Sequence, residues 1–122
     1  MQILVSDEMY RLHGVPLGTT VYYEEFLEKM CIPEDREITE NGRIKAITQK
    51  VEVQFDYRAI DQTTGETKWL STHVAPFLNA QNEVIALFGT TQDITDRQRQ
   101  EYQKVQDRLA SMGEMLNLLA HH

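Results

Sequence analysis

The spacing of hydrophobic and polar residues changes twice along the chain. Over residues 1–49 the hydrophobic residues recur every three or four positions, a period that is typical of amphipathic helices. Over residues 51–94 they alternate with polar residues, which is typical of half-buried strands. The helical period then returns from Thr95 and continues to Leu119. This pattern predicts short helices, then a sheet, then one long helix.

Three helices are predicted in the first segment. In "SDEMYRLHG", Ser6 is a typical N-cap residue and Gly14 a typical helix stop. The third helix begins near Pro33, whose missing N–H is tolerated in a first turn, and Gly42 weakens its middle. The second, in "YYEEFLEKM", places four hydrophobic residues on one face: Tyr23, Phe26, Leu27 and Met30.

Three strands joined by short turns are predicted in the second segment, as an antiparallel meander. Their sequences are "VEVQFDYRAI", "TKWLSTHVAPFL" and "VIALFGTTQDI". The middle strand is hydrophobic on both faces, with Trp69 and Phe77 on one and Leu70, Val74 and Leu78 on the other. A sheet of this kind needs cover on both faces. The early helices can cover only one of them.

The last segment carries a narrow hydrophobic stripe on an otherwise charged helix. Spacings of three and four residues alternate along it, as in a two-stranded coiled coil. We therefore expect a homodimer; the alternative is a helix packed on its own sheet. The stripe, which we call the seam, consists of Tyr102, Val105, Leu109, Met112, Leu116 and Leu119.

Charge and composition narrow the class of protein. The 19 Asp and Glu residues outnumber the 12 Lys and Arg residues, and a net charge of −7 disfavours nucleic acid as a partner. No hydrophobic run approaches the ~20 residues of a membrane span, and no signal-peptide pattern is present. The single Cys31 fits a reducing compartment. A cytoplasmic location is expected, although a longer parent protein could be membrane-anchored.

Several stretches together resemble a PAS sensor domain: "SDEMYRLHG", "PEDRE", "FDYRAIDQTTGETKWLSTHVAPF" and "GTTQDITDRQ". The resemblance implies an α+β fold, an antiparallel sheet of five strands with helices over one face. It also implies that a ligand, redox state or partner is sensed and reported through the C-terminal helix. The expected domains are a PAS domain at 1–94 and a signalling helix at 95–122.

Two features depart from the PAS pattern. The first strand of the sheet is expected to be missing, because Gln2–Val5 resembles the second strand and no residues are left for another. We therefore expect an open sheet edge that a partner could cover. In addition, Ile32 stands before "PEDR", where this family often has a histidine.

The end of the chain, "LASMGEMLNLLAHH", resembles the start of the phosphoacceptor segment of sensor histidine kinases. In that resemblance His121 is the phosphoacceptor, and it falls on an outward position of the heptad. His122 stands where an acidic residue is common. The pair is either native sequence or a tag remnant, and the unbroken heptad favours native sequence. The matching positions are Met112, Gly113, Glu114, Ala120 and His121.

Two further sites are predicted. The "DIT" motif places Asp93, Ile94 and Thr95 at the junction between sheet and last helix, where Thr95 is expected to cap the helix through its hydroxyl. A ligand pocket would lie between the helices and the inner sheet face, although such residues are often simply core. Its candidates are Met9, Leu12, Phe26, Ile47, Val53, Phe55 and Tyr57.

No cofactor or metal is predicted. Cys31 lacks the Asn-Cys-Arg context of the flavin-binding light sensors of the family, and a buried structural cysteine is expected. His13 and His73 have no neighbouring ligand at metal or haem spacing. No catalytic set or ATP-binding motif is present, so ATP would enter only through a kinase domain outside this chain.

The sequence therefore predicts a sensory module of a two-component histidine kinase rather than an enzyme in its own right. Its expected partners are a second copy of the chain and, in the parent protein, an ATP-binding kinase domain and a response regulator. An unidentified small molecule is a further candidate partner. The alternatives are a PAS module that controls a cyclic-dinucleotide synthase, or a plain protein-interaction domain.

Overall fold

The computed structural model describes residues 2–120, in which three helices cover one face of a sheet and a fourth helix follows the last strand. The strands are β1 (Gln2–Val5), β2 (Val21–Tyr22), β3 (Val53–Ile60), β4 (Thr67–Leu78) and β5 (Val84–Asp93). The helices are α1 (Asp7–Leu12), α2 (Tyr23–Lys29), α3 (Arg36–Gln49) and α4 (Thr95–Ala120), with a 3-10 turn at Pro33–Asp35 before α3.

The five strands form one open sheet in the order β2-β1-β5-β4-β3. β1 runs parallel to β5, with Leu4 opposite Phe88, and the other neighbours are antiparallel. The α+β fold class is confirmed. The expectation of a missing first strand is wrong, because Gln2–Val5 is the first strand and Val21–Tyr22 is the second. A strand of two residues is too short to show an alternating pattern.

The first helix begins and ends as its sequence predicts. The Ser6 side chain accepts a hydrogen bond from the Met9 amide at 3.3 Å, which satisfies one free N–H of the first turn. At the other end Gly14 takes a positive φ of 67°, which favours glycine. A Cβ atom there would lie 2.1 Å from Asp61 Oδ1, so the bare backbone also lets this carboxylate approach.

The meander places alternate side chains on the two predicted faces. Leu70 is buried and Val74 half-buried on the inner face, whereas Phe77 lies on the outer face and is 49% exposed. Phe77 and Phe88 meet edge to face there, with ring centroids 6.3 Å apart. Because Leu4 beside them is also 43% exposed, this end of the outer face remains largely open in the described part of the chain.

Two groups of buried residues hold the helices on the inner face. The larger one fixes α1 and α2 against β3 and β4, and the smaller one fixes α3 against β3 and β5. Burial of hydrophobic surface at about 25 cal/mol per Å² makes these groups the main source of stability. The larger group contains Met9, Leu12, Val21, Tyr23, Phe26, Cys31, Tyr57, Ala59 and Leu70, and the smaller contains Ala46, Val53 and Leu87.

The last helix leaves the domain almost at once. Thr95 and Gln98 are half-buried, but every described side chain from Arg99 to Ala120 is exposed. The alternative that α4 packs along its own sheet is therefore wrong beyond the first turn. Its seam residues are largely exposed in the part of the chain that the structure describes.

Candidate functional site

A cavity of about 50 Å³ lies between the three covering helices and the inner face of the sheet. Its wall is mostly hydrophobic. Gly89 contributes to it because it has no side chain to fill the space beside Met9. The lining residues are Met9, Tyr23, Phe26, Thr39, Arg43, Phe55, Tyr57, Thr72, Val74, Leu87 and Gly89.

A buried histidine and a buried tyrosine are paired beside the cavity. His13 Nδ1 lies 2.7 Å from the Met9 carbonyl oxygen, and Nε2 lies 2.8 Å from the Tyr57 hydroxyl. A carbonyl can only accept, so Nδ1 carries the proton and Nε2 accepts from Tyr57. Burial lowers the pKa of His13 and raises that of Tyr57, and both groups are therefore neutral near pH 7.

A second polar group links α2 to α3 at the side of the cavity. The Tyr23 hydroxyl donates to Glu40 Oε2, and Arg43 Nη1 donates to Glu40 Oε1 at 3.2 Å. The Arg43 guanidinium also lies 4.5 Å from the centroid of the Tyr23 ring, a cation–π contact. Burial and the Glu40 carboxylate raise the pKa of Tyr23, so its hydroxyl remains a donor.

Only part of the predicted pocket surrounds this cavity. Met9, Phe26, Phe55 and Tyr57 line it, but three predicted residues do not. Leu12 lies in the larger core group, Val53 is buried in the smaller one, and Ile47 packs against the smaller one. These three side chains pack in the core instead of lining the cavity. Hydrophobicity alone does not distinguish core residues from cavity-lining residues.

The most informative lining residue that sequence reasoning missed is Arg43. A charged residue is usually assigned to the surface, so hydrophobicity alone does not predict that Arg43 lines a cavity. Its spacing from Thr39 and Ala46 nevertheless places it on the buried face of α3, because residues three and four apart share one helix face. Helical spacing was therefore the signal that could have found it.

The junction motif binds the start of α4 to the backbone of β4. The Ile94 amide donates to the Trp69 carbonyl at 2.9 Å, and Thr95 Oγ1 accepts from the Trp69 amide at 3.1 Å. Asp93 Oδ1 accepts from the Thr95 amide at 2.9 Å. The expected cap through the Thr95 hydroxyl is wrong, because that hydroxyl faces β4 and the preceding Asp93 takes the free N–H instead.

A chain of contacts connects this junction to the start of α3. Arg58 on β3 donates from Nη2 and Nε to the Asp35 carboxylate at 2.8 and 3.0 Å, just before α3 begins. This guanidinium holds the pKa of Asp35 below its usual range. On its other side Arg58 lies 5.1 Å from the Trp69 ring, the residue that holds Thr95.

The cysteine and histidine side chains that could bind a metal or a cofactor lie apart from one another. Cys31 is buried, with Sγ 3.7 Å from Thr39 Oγ1, and burial raises the pKa of its thiol. His73 is paired with Glu52 at 3.1 Å on the outer face. Among the described residues, no three His, Cys, Asp or Glu side chains come close enough to hold a metal. The expected absence of a cofactor stays a prediction.

The predicted seam lies within the described residues, whereas the predicted phosphoacceptor does not. The six seam side chains are 48–67% exposed on α4. His121 and His122 lie outside the described residues. Within residues 2–120 no helix is both long and hydrophobic enough to cross a membrane.

The chain is similar to several solved sensor domains. The N-terminal domain of a diguanylate cyclase with a PAS/PAC sensor from Marinobacter aquaeolei is 30% identical over 75% of this chain and 82% of its own, with a TM-score of 0.64. A sensory box histidine kinase/response regulator from Burkholderia thailandensis E264 is 20% identical over 92% of this chain and 79% of its own, with a TM-score of 0.64.

A third structure, the PAS domain of a protein from Colwellia psychrerythraea, is 17% identical over 72% of each chain, with a TM-score of 0.60. No curated protein sequence matches. The family model described as the PAS fold matches residues 2–91, most of the chain and all five strands except the last two residues of β5. The chain therefore belongs to the PAS fold family.

Proposed function

We propose that this chain is the sensory PAS module of a two-component histidine kinase and reports its signal through a dimer of α4. The observation that carries the proposal is the segment at the end of the chain, where Met112, Gly113, Glu114, Ala120 and His121 resemble a phosphoacceptor segment. A neutral imidazole is a competent nucleophile toward a phosphoryl group near pH 7. His121 would receive the phosphate and a response regulator would take it on.

The exposure of α4 supports a dimer. A helix with this many exposed hydrophobic side chains is not stable as a free element in water, and a second copy would bury them. The hydrophobic face also widens toward the end, since Met115 and Leu118, 64% and 65% exposed, add to the seam residues around them. A wide face suits a four-helix bundle, whereas the narrow seam before it suits a two-stranded coiled coil.

The contacts at the start of α4 support a route by which a signal would pass from the cavity to this helix. α3 lines the cavity through Thr39 and Arg43, and Asp35 at its start is fixed to Arg58. Arg58 contacts Trp69, and the Trp69 backbone holds Thr95. A change in the cavity that moves α3 would therefore reach α4 through directly touching groups.

The alternative of a cyclic-dinucleotide synthase rests on one specific observation. The relative from Marinobacter aquaeolei, at 30% identity, is the sensor domain of a diguanylate cyclase. A PAS module can serve either effector, because function depends on the site joined to a fold and not on the fold alone. A plain interaction domain is a third candidate, in which the exposed seam would bind a partner without enzymatic output.

Phosphate labelling of the parent protein tests the proposal. We expect acid-labile phosphate from ATP on the unaltered protein and on His122→Gln, and its loss in His121→Gln. The two variants are matched controls, since they remove adjacent imidazoles from the same helix. Formation of a cyclic dinucleotide from nucleoside triphosphate would favour the alternative, and label that persists in His121→Gln would exclude this residue as the acceptor.

A further inference from the structure

A buried histidine lies where the end of α1 is attached to the hairpin of β3 and β4. His13 follows α1 directly and is 3% exposed. Its backbone carbonyl accepts from the Gln62 amide at 2.8 Å, and the next carbonyl along the chain accepts from the Thr63 hydroxyl at 2.9 Å. Lys68 Nζ donates to the Leu12 carbonyl at 3.4 Å. The end of α1 is therefore held by groups of this one hairpin.

The two hydrogen bonds of the His13 imidazole require its neutral form. Nδ1 donates to the Met9 carbonyl, and Nε2 accepts from the Tyr57 hydroxyl. A proton on Nε2 would occupy the lone pair that now accepts the Tyr57 hydrogen. That hydrogen would then need another acceptor, and among the described residues the Tyr57 hydroxyl bonds only to His13. Protonation is therefore incompatible with the present contact.

The ionisable groups around His13 leave an imidazolium without a counter-ion. Lys68 carries a positive charge itself, and the Asp61 carboxylate is already bound to Lys68 Nζ at 2.8 Å. Tyr10 of α1 lines the same small cavity as His13, and its neutral hydroxyl donates to the Thr19 carbonyl at 2.8 Å. A charge on His13 would thus add to that of Lys68 without a partner of its own.

The remaining neighbours of the imidazole are hydrophobic or aromatic. Val5 of β1 and Val21 of β2 line the same small cavity. The rings of Phe26 and Tyr57 have centroids 5.6 and 6.0 Å from that of His13. An aromatic ring attracts a cation, but this attraction is weaker than the hydration that burial removes. Burial accordingly lowers the pKa of His13 below its ordinary value of 6.5.

A small displacement would bring His13 into water. Arg11, two residues earlier, is exposed, and so are residues 16–20 after it. A helix of six residues is also too short to be stable without its contacts to the rest of the domain. An imidazolium can therefore gain hydration when the end of α1 moves away from the hairpin, while the sheet stays folded.

The same hairpin leads to the start of α4. Lys68, which contacts the end of α1, is followed in β4 by Trp69. The backbone of Trp69 accepts from the Ile94 amide and donates to Thr95 Oγ1. Release of α1 would therefore change the contacts of the residue next to the one that holds α4.

We propose that His13 is a proton-operated switch: in mildly acidic solution a proton from solvent binds Nε2, the Tyr57 hydroxyl loses its acceptor, and the end of α1 separates from the hairpin. The inference rests on the proposed sensory function and deepens it, because it names the proton as the signal. A histidine that is neutral when enclosed and protonated when released favours the enclosed form above pH ~6.5 and the released form as the pH falls below that value.

Hydrogen exchange of the 122-residue chain measures the release. The Gln62 amide reports it, because its hydrogen bond to the His13 carbonyl is lost when α1 separates. If the released histidine titrates at its ordinary pKa, the equilibrium constant for opening rises about tenfold between pH 7.5 and pH 5.5. We therefore expect the Gln62 protection factor to fall about tenfold, while Val74 in the central strand β4 remains better protected at pH 5.5.

Two variants and a control make the measurement specific. His13→Gln keeps an acceptor for the Tyr57 hydroxyl but does not titrate, so the Gln62 protection factor should be the same at both pH values. Tyr57→Phe keeps the ring and removes the hydroxyl whose bond opposes protonation, so the fall should be smaller than in the unaltered chain. His73→Gln removes an exposed histidine of the outer face and should show the full fall.

The outcomes separate this inference from the kinase proposal. A constant Gln62 protection factor in the unaltered chain, or an equal fall in His13→Gln, overturns the inference. Equal protection of Gln62 and Val74 at pH 5.5 also overturns it, because the whole domain would then open at once. A pH-dependent Gln62 amide in a protein whose His121 is never labelled leaves the switch standing and removes the kinase. A labelled His121 with a pH-independent Gln62 amide does the reverse.

Discussion

Asp61 shows how one buried carboxylate can fix a turn and make stability depend on pH. Its Oδ1 accepts from the Thr63 and Thr64 amides at 2.8 and 3.1 Å, and its Oδ2 accepts from Lys68 Nζ at 2.8 Å. The close approach of Gly14 completes the enclosure. Lys68 first, and the two amides after it, lower the pKa of Asp61 to about 2, while burial opposes the shift.

Acid should therefore destabilise the domain in a defined window. The folded pKa of Asp61 is lowered from 3.8 to about 2, so this stabilisation is present above pH ~4 and is lost as the pH falls toward 2. We expect Asp61→Asn to lower the free energy of unfolding at pH 7 by on the order of 1–2 kcal/mol, and the melting temperature with it. Asparagine keeps an oxygen for the two amides and removes only the charge.

The check is a series of circular dichroism melts of both proteins from pH 7 to pH 2. The difference between them should shrink below pH ~4, because the carboxylate is then protonated in the unfolded chain, and it should vanish near pH 2, where the folded carboxylate is protonated as well. Asp96→Asn, which neutralises an exposed carboxylate on α4, serves as the control. A difference that stays constant across the whole series would contradict the role of the Asp61 charge.

At the scale of elements, the sequence predicts the bounds of those strands and helices that have a regular alternation of hydrophobic residues or a typical cap. The bounds of β4 and the start and stop of α1 follow from local pattern, and the structure agrees. β2 could not be found, because two residues carry no period. The interior role of Gly42 could not be found either, because it depends on a ring from β3, far away in sequence.

Gly42 in α3 is explained by this packing. A Cβ atom there would lie 2.5 and 2.6 Å from two carbons of the Phe55 ring. We expect Gly42→Ala to destabilise the domain by about 1–3 kcal/mol through overpacking, although alanine favours a helix by ~1 kcal/mol over glycine. Denaturant unfolding measures this change.

Two further variants make the measurement specific. Asn41→Ala, at the exposed neighbouring position, should be neutral or slightly stabilising. Phe55→Leu combined with Gly42→Ala should recover part of the loss, since the smaller side chain gives the new methyl room. A stabilised Gly42→Ala protein would show instead that Phe55 does not restrict this position.

At the scale of the whole molecule, two exposed hydrophobic surfaces stand out among the described residues of one copy. One is the outer face of the sheet around Phe77 and Phe88, and the other is the seam of α4. The seam is the longer of the two and its spacing suits a symmetric partner, because identical helices can interdigitate along it. A dimer through α4 is therefore the assembly we predict.

Leu109→Lys should dissociate this dimer. The substitution places two like charges against each other in the middle of the seam, where a leucine pair would otherwise be buried. Sedimentation velocity should then report a monomer at concentrations where the unaltered chain is a dimer. Asn117→Lys adds the same charge outside the seam and should leave the dimer intact. If Leu109→Lys remains dimeric, the outer sheet face becomes the interface.

The attachment of α4 at one end only has a mechanical consequence. The helix is held at Thr95 by the Trp69 backbone, and every described side chain of the helix beyond Gln98 is exposed. At ~1.5 Å per residue its 26 residues reach roughly 39 Å, so it acts as a lever with its pivot at the sheet. A tilt of about 5° shifts the first turn by less than ~0.5 Å and the far end by more than ~3 Å. A displacement too small to disturb the packing of the core is thus enlarged to the width of a side chain by the end of the helix.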